Sequence, residues 1–299
     1  MKQRYANIGL ARLCGVFGKS RQTYYERMAN SEQKRMEIQL VVDLIHLRRK
    51  EMPRLGGLKL HYLLQVDFKS HNLKIGRDKF FTLLREQNLL VKPKRNYART
   101  TYSYHRFHKY PNLIRDVQLV RPNQVWVSDI TYITIRMHFA YLSLITDLYS
   151  HKIVGYCLYK TLETAGCIKA LTMAVHSVNE PTESLIHHSD RGIQYCSNTY
   201  VDILKAMTIK ISMTEKKDAY ENSVAERVNG ILKSEFNIDQ SFKSFQIAET
   251  IIENSIRIYN QERPHLSCNM LTPEQAHKKK GKLTRKWKNY YKKKTKIEK

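Results

Sequence analysis

Cysteine is sparse and unpatterned. Cys14, Cys157, Cys167, Cys196 and Cys268 are far apart, odd in number and never form a Cys-x-x-Cys pair. They offer no disulfide framework, and buried reduced thiols are the expected state. His105 and His108 have the spacing of a metal-ligand pair, but no cysteine pair follows to complete a tetrahedral zinc site. Long apolar runs are also missing: none approaches the roughly 20 residues needed to span a bilayer. The opening MKQRYANIGL lacks a signal-peptide core, so no membrane association and a cytoplasmic location are expected. No low-complexity tract precedes residue 278, and no repeat of roughly 20 to 50 residues is present. With a hydrophobic fraction of 42 %, the chain reads as folded.

Acidic residues are in short supply as well, with 27 Asp and Glu against 52 Lys and Arg, a formal net charge of +25. Such an excess calls for a polyanionic partner, nucleic acid first. Residues 278–299 hold twelve Lys or Arg against one acid, Glu298. Trp287, Tyr290 and Tyr291 are interleaved with these cations, which suits phosphate neutralisation together with base or sugar stacking. The body of the chain is basic even without this tail.

The 299 residues allow one full-sized core and one or two small satellites. Residues 6–27 predict two short helices about a turn: apolar Ile8, Leu10, Leu13, Cys14 and Phe17, then Gly18, then Ser20 as N-cap. That is a helix-turn-helix outline. A second one follows, with helices over about 36–50, 58–66 and 77–87 and a break at Gly56-Gly57. From Lys92 to Lys109 the chain is basic and aromatic with little periodicity, including Lys92, Lys94 and Arg95, and reads as a linker that tracks a phosphate backbone. The expected domains are therefore a helix-turn-helix-like region over 1–30, a second over 31–92, a basic linker over 93–119, a core over 120–277 and a basic tail over 278–299.

The core has a different rhythm. Runs rich in β-branched and aromatic residues occupy 124–135, 138–146 and 151–159, with separators short enough for antiparallel hairpins. A helix near 163–178, a strand near 184–188, a helix near 198–206 and a strand near 208–212 come next. Three antiparallel strands followed by alternating helix and strand describe a mixed five-stranded α/β sheet flanked by helices, the ribonuclease-H-like architecture, here preceded by small all-α regions.

Asp129 falls midway along the first strand, between Trp126 and Thr131-Tyr132. Apolar residues on both sides make this strand central, where an unpaired charge is costly to bury and a bound cation offsets the cost. Asp190 sits just after SLIHHS, at the C-terminal end of a strand, where open α/β sheets place ligands. Glu226 lies in a helix beginning near Asn222. In a ribonuclease-H-like sheet the first and fourth strands are neighbours, and the helix after the fifth meets their ends, so the three carboxylates converge. Their hard oxygens suit two Mg2+ or Mn2+ ions and an in-line displacement at phosphorus.

Thirty-five positions separate Asp190 from Glu226, and Lys233 follows Glu226 by seven, two turns along one helix face. This resembles the D-D-35-E-K pattern of retroviral integrases and of insertion-sequence-3 family transposases. The words VWVSDITYI, HHSDRGIQYCS, ENSVAERVNGILKSE and YNQERPHLSCNMLTPEQA are similar to the latter family, as are GVFGKSRQTYY and PRLGGLKL nearer the start. The resemblance implies metal-dependent cleavage and strand transfer at the ends of an insertion element. It implies Asp129, Asp190 and Glu226 as catalytic metal ligands and Lys233 near terminal DNA phosphates. It further implies double-stranded DNA and an upstream reading-frame product as partners and, because two element ends are brought together, a homo-oligomer on DNA.

Several assignments stay open at the level of sequence. Glu221 stands where relatives commonly carry Asp and rivals Glu226 as third ligand, although spacing favours Glu226. Asp147 fits a hairpin turn more simply than a ligand. His187 and His188 could contact DNA or the ligand shell. Arg191 and Gly192 shape the turn after Asp190, and Arg191 joins Arg21, Lys92, Lys94 and Arg95 among the candidate DNA contacts. The Arg263-Pro264-His265 stretch docks the last helices on the core. A plain ribonuclease-H-like nuclease and a non-catalytic DNA binder are the rival functions.

Overall fold

The computed structural model describes residues 7–92, 106–178, 182–215 and 221–287. The chain forms two compact units, residues 1–50 with 56–91, and residues 51–55 with 92–299.

The first unit is helical: α1 Leu10–Val16, α2 Arg21–Glu51, α3 Gly57–Leu63, α4 Gln65–Ser70 and α5 Arg77–Glu86. Ser20 caps α2 through a bond from the Thr23 amide to its Oγ (3.1 Å). The sequence predicts separate helices on either side of residue 30, but α2 runs unbroken for 31 residues. No glycine or proline lies between Arg21 and Glu51, so nothing stops the helix until Pro53. The predicted 58–66 helix is instead divided at Leu64 into α3 and α4. Val41, Ile45, Leu60, Phe68, Phe80 and Leu84 are buried together in this unit, with the Phe68 and Phe80 rings 6.0 Å apart. Gly57 allows a close approach here, since a Cβ would sit 3.0 Å from the Phe81 ring and push it aside.

The second unit holds five strands, β1 Val125–Ile135, β2 His138–Asp147, β3 Ile153–Tyr159, β4 Ile186–Ser189 and β5 Lys210–Met213. The helices α6 Thr164–His176, α7 Ile193–Cys196, α8 Asn198–Ala206, α9 Ser223–Glu235, α10 Phe245–Gln261 and α11 Pro273–His277 flank them. The sheet order is β3-β2-β1-β4-β5, with β1 antiparallel to β2 and parallel to β4. This is the ribonuclease-H-like arrangement expected from the sequence.

Period-two alternation on β1 divides the core. Trp126 and Ile130 face the helices α6 to α8, among Ile145, Leu171, Tyr195, Tyr200 and Leu204. Val125 and Val127 face the other way, against Ala225 of α9. On β3, Gly155 lets α6 lie directly on the sheet, since a Cβ there would collide with the Ala170 carbonyl. Asp147, fully buried, closes the β2–β3 connection: its carboxylate accepts from the Ser150 amide (2.7 Å), the Ser150 hydroxyl (2.6 Å) and the Asn123 amide (2.8 Å).

Two flanking segments are tied into this unit. Before β1, Asn112 and Leu113 bond to Glu215 and Ser212, and Ile114, Val117 and Leu119 pack beside α9. After α11, the Gly281 amide donates to the Val120 carbonyl and the Trp287 indole to Ser267 Oγ (3.1 Å). Lys94, Arg95, Tyr290 and Tyr291 lie outside the described residues. Among the described residues no helix is long and apolar enough to cross a membrane.

The C-terminal end of α9 is fixed by Arg263, whose buried guanidinium forks onto Glu235 with both contacts at 2.8 Å. A buried pair broken on one side leaves an uncompensated charge. Arg263→Ala should therefore lower the unfolding free energy by about 3–5 kcal/mol, with Arg263→Lys recovering only part because an ammonium cannot match the fork. Urea unfolding measures this, and a loss below about 1 kcal/mol would show that the pair is not what holds this end of α9.

Candidate active site

The parallel register of β1 and β4 pairs Ser128 with Ser189. Continued by one residue, it sets Asp190 beside Asp129, at the point where β4 ends. Alternation turns Asp129 to the same face as Val125 and Val127, which is the face α9 covers. Glu226 lies in the first turn of α9, and its carboxylate is exposed.

Electrostatics register this neighbourhood. The Asp129 carboxyl, partly open to solvent, is raised to about 7, first by its removal from bulk water, then by the Asp190 charge, with a smaller contribution from Glu226. Two bonds act in the opposite sense, from Asn229 Nδ2 (2.8 Å) and from the Ile130 amide (2.9 Å). Asp190 Oδ1 accepts from the Gly192 amide (3.0 Å), and Arg191 sits in that turn with its charge felt at Cys196 and Glu215. Lys233 is half-buried; burial lowers its pKa, while Asp129 and Asp239 pull it upward.

Asn229 is the residue that sequence reasoning missed. It is 5 % exposed, its Nδ2 holds Asp129, and its Oδ1 has no hydrogen-bond partner among the described residues. Asn222, Glu226, Asn229 and Lys233 recur at intervals of four, three and four, one stripe of a helix. That polar stripe was the available signal. Asn222 also bonds the sheet directly, from Nδ2 to the Ser128 carbonyl (3.0 Å).

Glu221 precedes the helix rather than sharing it, since Asn222 is the N-cap. Its carboxylate accepts from the Glu215 amide (2.8 Å) and from Asn112 Nδ2 (3.2 Å), and it is not among the charges acting on Asp129. His187 is buried and bonded through Nε2 to Ser128 Oγ (2.7 Å) and Tyr200 Oη (2.9 Å). Burial drops it to about 3, and His188, bonded to Ser212 Oγ at 2.8 Å, to about 4. Both imidazoles are neutral at neutral pH and bonded to serine hydroxyls of the sheet. Arg21 is exposed at the start of α2, and Lys92 is exposed while its carbonyl accepts from Arg54.

Among the described residues no three His, Cys, Asp or Glu side chains are gathered closely enough to hold a metal ion as they stand. Asp129 accepts instead from Asn229 Nδ2, and Asp190 from the Gly192 amide. The donor chemistry nevertheless fits a hard divalent ion: oxygen ligands only, one carboxylate whose charge burial penalises, and an unsatisfied amide oxygen alongside.

A proton should respond in place of that ion. The folded chain holds it on Asp129 up to about pH 7, whereas an ordinary aspartate releases it near 3.8. Folding thus takes up a proton between those values, and stability falls as pH rises through that window and stays lower above it. Asp129→Asn should raise the melting temperature of chelator-treated protein at pH 8 by roughly 2–4 °C, with no gain at pH 4. A variant that melts below the parent at pH 8 would contradict this.

Two family models, each described as an integrase core domain, match residues 120–219 and 207–273. The insertion element IS600 31 kDa protein of Shigella sonnei is 34 % identical over 267 residues, covering 87 % of this chain and 96 % of that protein. Transposase InsF for insertion sequence IS3A of Escherichia coli K12 is 29 % identical over 287 residues, covering 93 % and 97 %. Among solved structures, the HTLV-2 integrase catalytic core domain aligns at 21 % identity over 52 % of this chain and 97 % of its own, with a TM-score of 0.42. Matched over nearly its whole length to insertion-element proteins, and carrying an integrase core, the chain belongs to the insertion-sequence-3 family of transposases, enzymes of DNA transposition and integration.

Proposed function

We propose that this transposase cleaves and joins DNA strands at the ends of an insertion element, with Asp129, Asp190 and Glu226 as ligands of two Mg2+ or Mn2+ ions. The observation that carries this reading is the β1–β4 register that sets Asp190 beside Asp129, with the first turn of α9, which holds Glu226, covering the same face of the sheet. A carboxylate on the central strand that is opposed by two further acids, 61 and 97 residues away in sequence, is costly unless positive charge is delivered to it.

The ions, when bound, supply Lewis-acid stabilisation of attacking and leaving oxygens. The chain's own residues do the rest. Asn229 orients the Asp129 carboxylate, and the Gly192 amide orients that of Asp190. Lys233, on the same helix stripe as Glu226, faces the terminal phosphates. Water attacks the phosphodiester at the element end, and the departing oxygen takes a proton to become a 3′ hydroxyl. That hydroxyl then attacks a target phosphodiester, forming one P–O bond as another breaks, so no protein nucleophile is required. Arg191, Arg21, Lys92, Lys94 and Arg95, with the basic tail, neutralise DNA backbone.

Joining two ends requires more than one copy of the chain on double-stranded DNA, and an upstream reading-frame product completes end recognition. The reaction belongs to the bacterial cytoplasm, on chromosomal or plasmid DNA.

The test uses a labelled duplex carrying the element's terminal repeat, supplied with Mg2+ or Mn2+ and with the fused upstream segment. Metal-dependent nicking and joining by the parent should fall at least about 100-fold in Glu226→Gln. Joining that survives this substitution would remove Glu226 from the ligand set. Cleavage with no joined product would make the chain a nuclease.

A further inference from the structure

Glu221 and its partners form a clasp on the approach to α9. Besides the Glu215 amide and Asn112 Nδ2, the Glu221 carboxylate faces the Arg115 guanidinium at 3.6 Å. Arg115 also pairs with Glu215 at 3.1 Å, and Glu215 accepts from the Asn112 amide at 3.0 Å. The neighbouring Leu113 amide donates to Ser212 Oγ (2.9 Å), the same hydroxyl that meets His188 Nδ1, two residues before Asp190. Three parts of the chain that are far apart in sequence are thus fastened together: the segment before β1, the end of β5, and the residue preceding the N-cap of α9.

The consequence concerns Glu226. Its amide bonds to the Asn222 carbonyl, closing the first turn of α9. A first turn has few helical bonds of its own and frays unless something outside the helix holds it. Asn222 is bonded to Ser128 on β1, and Glu221, one residue earlier, is bonded to Glu215, two residues past β5, and to the 112–115 segment. The Glu221 side chain is only 12 % exposed, and both its oxygens are engaged.

We infer that Glu221 is a positioning residue: with Asn112 and Arg115 it holds the first turn of α9 so that the Glu226 carboxylate stands where Asp129 and Asp190 can share a cation with it. The inference rests on Glu226 being the third ligand. It also makes the segment before β1 part of the active-site framework rather than a passive link between units.

Mn2+ titration calorimetry and amide hydrogen exchange on the full chain test it without requiring catalysis. Arg115→Ala is the informative variant, because the Arg115 side chain is 56 % exposed and so lies outside the buried core. Removing a positive charge near a cation site should strengthen Mn2+ binding by Coulomb's law alone. Positioning has the opposite sign: Arg115→Ala and Glu221→Ala should each weaken Mn2+ binding about 10-fold. In metal-free protein both should speed exchange of the Glu226–Asn229 amides by about 10-fold, and Glu221→Asp should restore part of each effect.

Arg115→Ala binding Mn2+ as tightly as the parent or more tightly overturns the proposal. So does unchanged exchange in Glu221→Ala, which would make Glu221 itself the ligand if its Mn2+ binding is lost. Glu226→Gln separates this from the underlying assignment. Parent-like Mn2+ binding in that variant sinks Glu226 as a ligand, whatever the Glu221 and Arg115 variants do.

Discussion

A negative charge on the central strand is the constraint around which the second unit is organised. Asp129 lies on β1, with paired strands on both sides and α9 across its face. A carboxylate in that position is unfavourable, as its proton affinity shows. The surroundings temper the cost without removing it. Asn229 and the Ile130 amide each donate one bond, while Asp190 and Glu226 work against them. A site built only for stability would place an apolar residue there, as it does at Val125 and Val127 on the same face. Retaining the charge makes sense where a cation or a proton is to be exchanged.

Helix α9 carries Glu226, Asn229 and Lys233, and it is held at both ends by directional polar contacts. At its C-terminal end the Arg263 fork grips Glu235, and the Arg263 guanidinium also lies 5.7 Å from the Tyr259 ring. At its N-terminal end Asn222 bonds β1 and Glu221 bonds Glu215, just past the end of β5. Apolar packing of Ala225, Val228 and Ile231 would tolerate small slides along the sheet, because dispersion contacts are non-directional. Hydrogen-bonded ends do not tolerate them. Since catalytic geometry must be kept within about 0.5 Å, the polar ends fix what the apolar face cannot.

Much of this was legible because strands and helices advertise their period. The five strands, their order and the meeting of Asp129 with Asp190 follow from alternation and from the ribonuclease-H-like connection pattern. What could not be read depends on tertiary neighbours. The unbroken α2 has a weakly patterned sequence, and its continuity reflects only the absence of a breaker between Arg21 and Glu51. Asn229 carries no charge and looks like an ordinary helix residue until Asp129 is seen across from it. Glu221 and Asn112 are 109 residues apart, so no local pattern could announce their bond. His187 and His188 look equally suited to catalysis on paper, and it is burial against Tyr200, Ser128 and Ser212 that makes them neutral.

The charge distribution adds a last coupling. The chain is strongly basic overall, yet its site gathers acids, so DNA drawn in by the basic surface meets local repulsion at the carboxylates. In the proposed site, a phosphodiester beside Asp129, Asp190 and Glu226 would raise the negative charge there and with it the affinity for a divalent cation, while a bound cation would in turn lower the cost of admitting the phosphate. By linkage each must strengthen the other to the same degree. Protons compete for the same carboxylate: with Asp129 near 7, a shift to lower pH discharges it and weakens both. On that proposal a single aspartate on the central strand joins metal, DNA and pH at one point, and the clasp and the fork at the two ends of α9 keep that point in register.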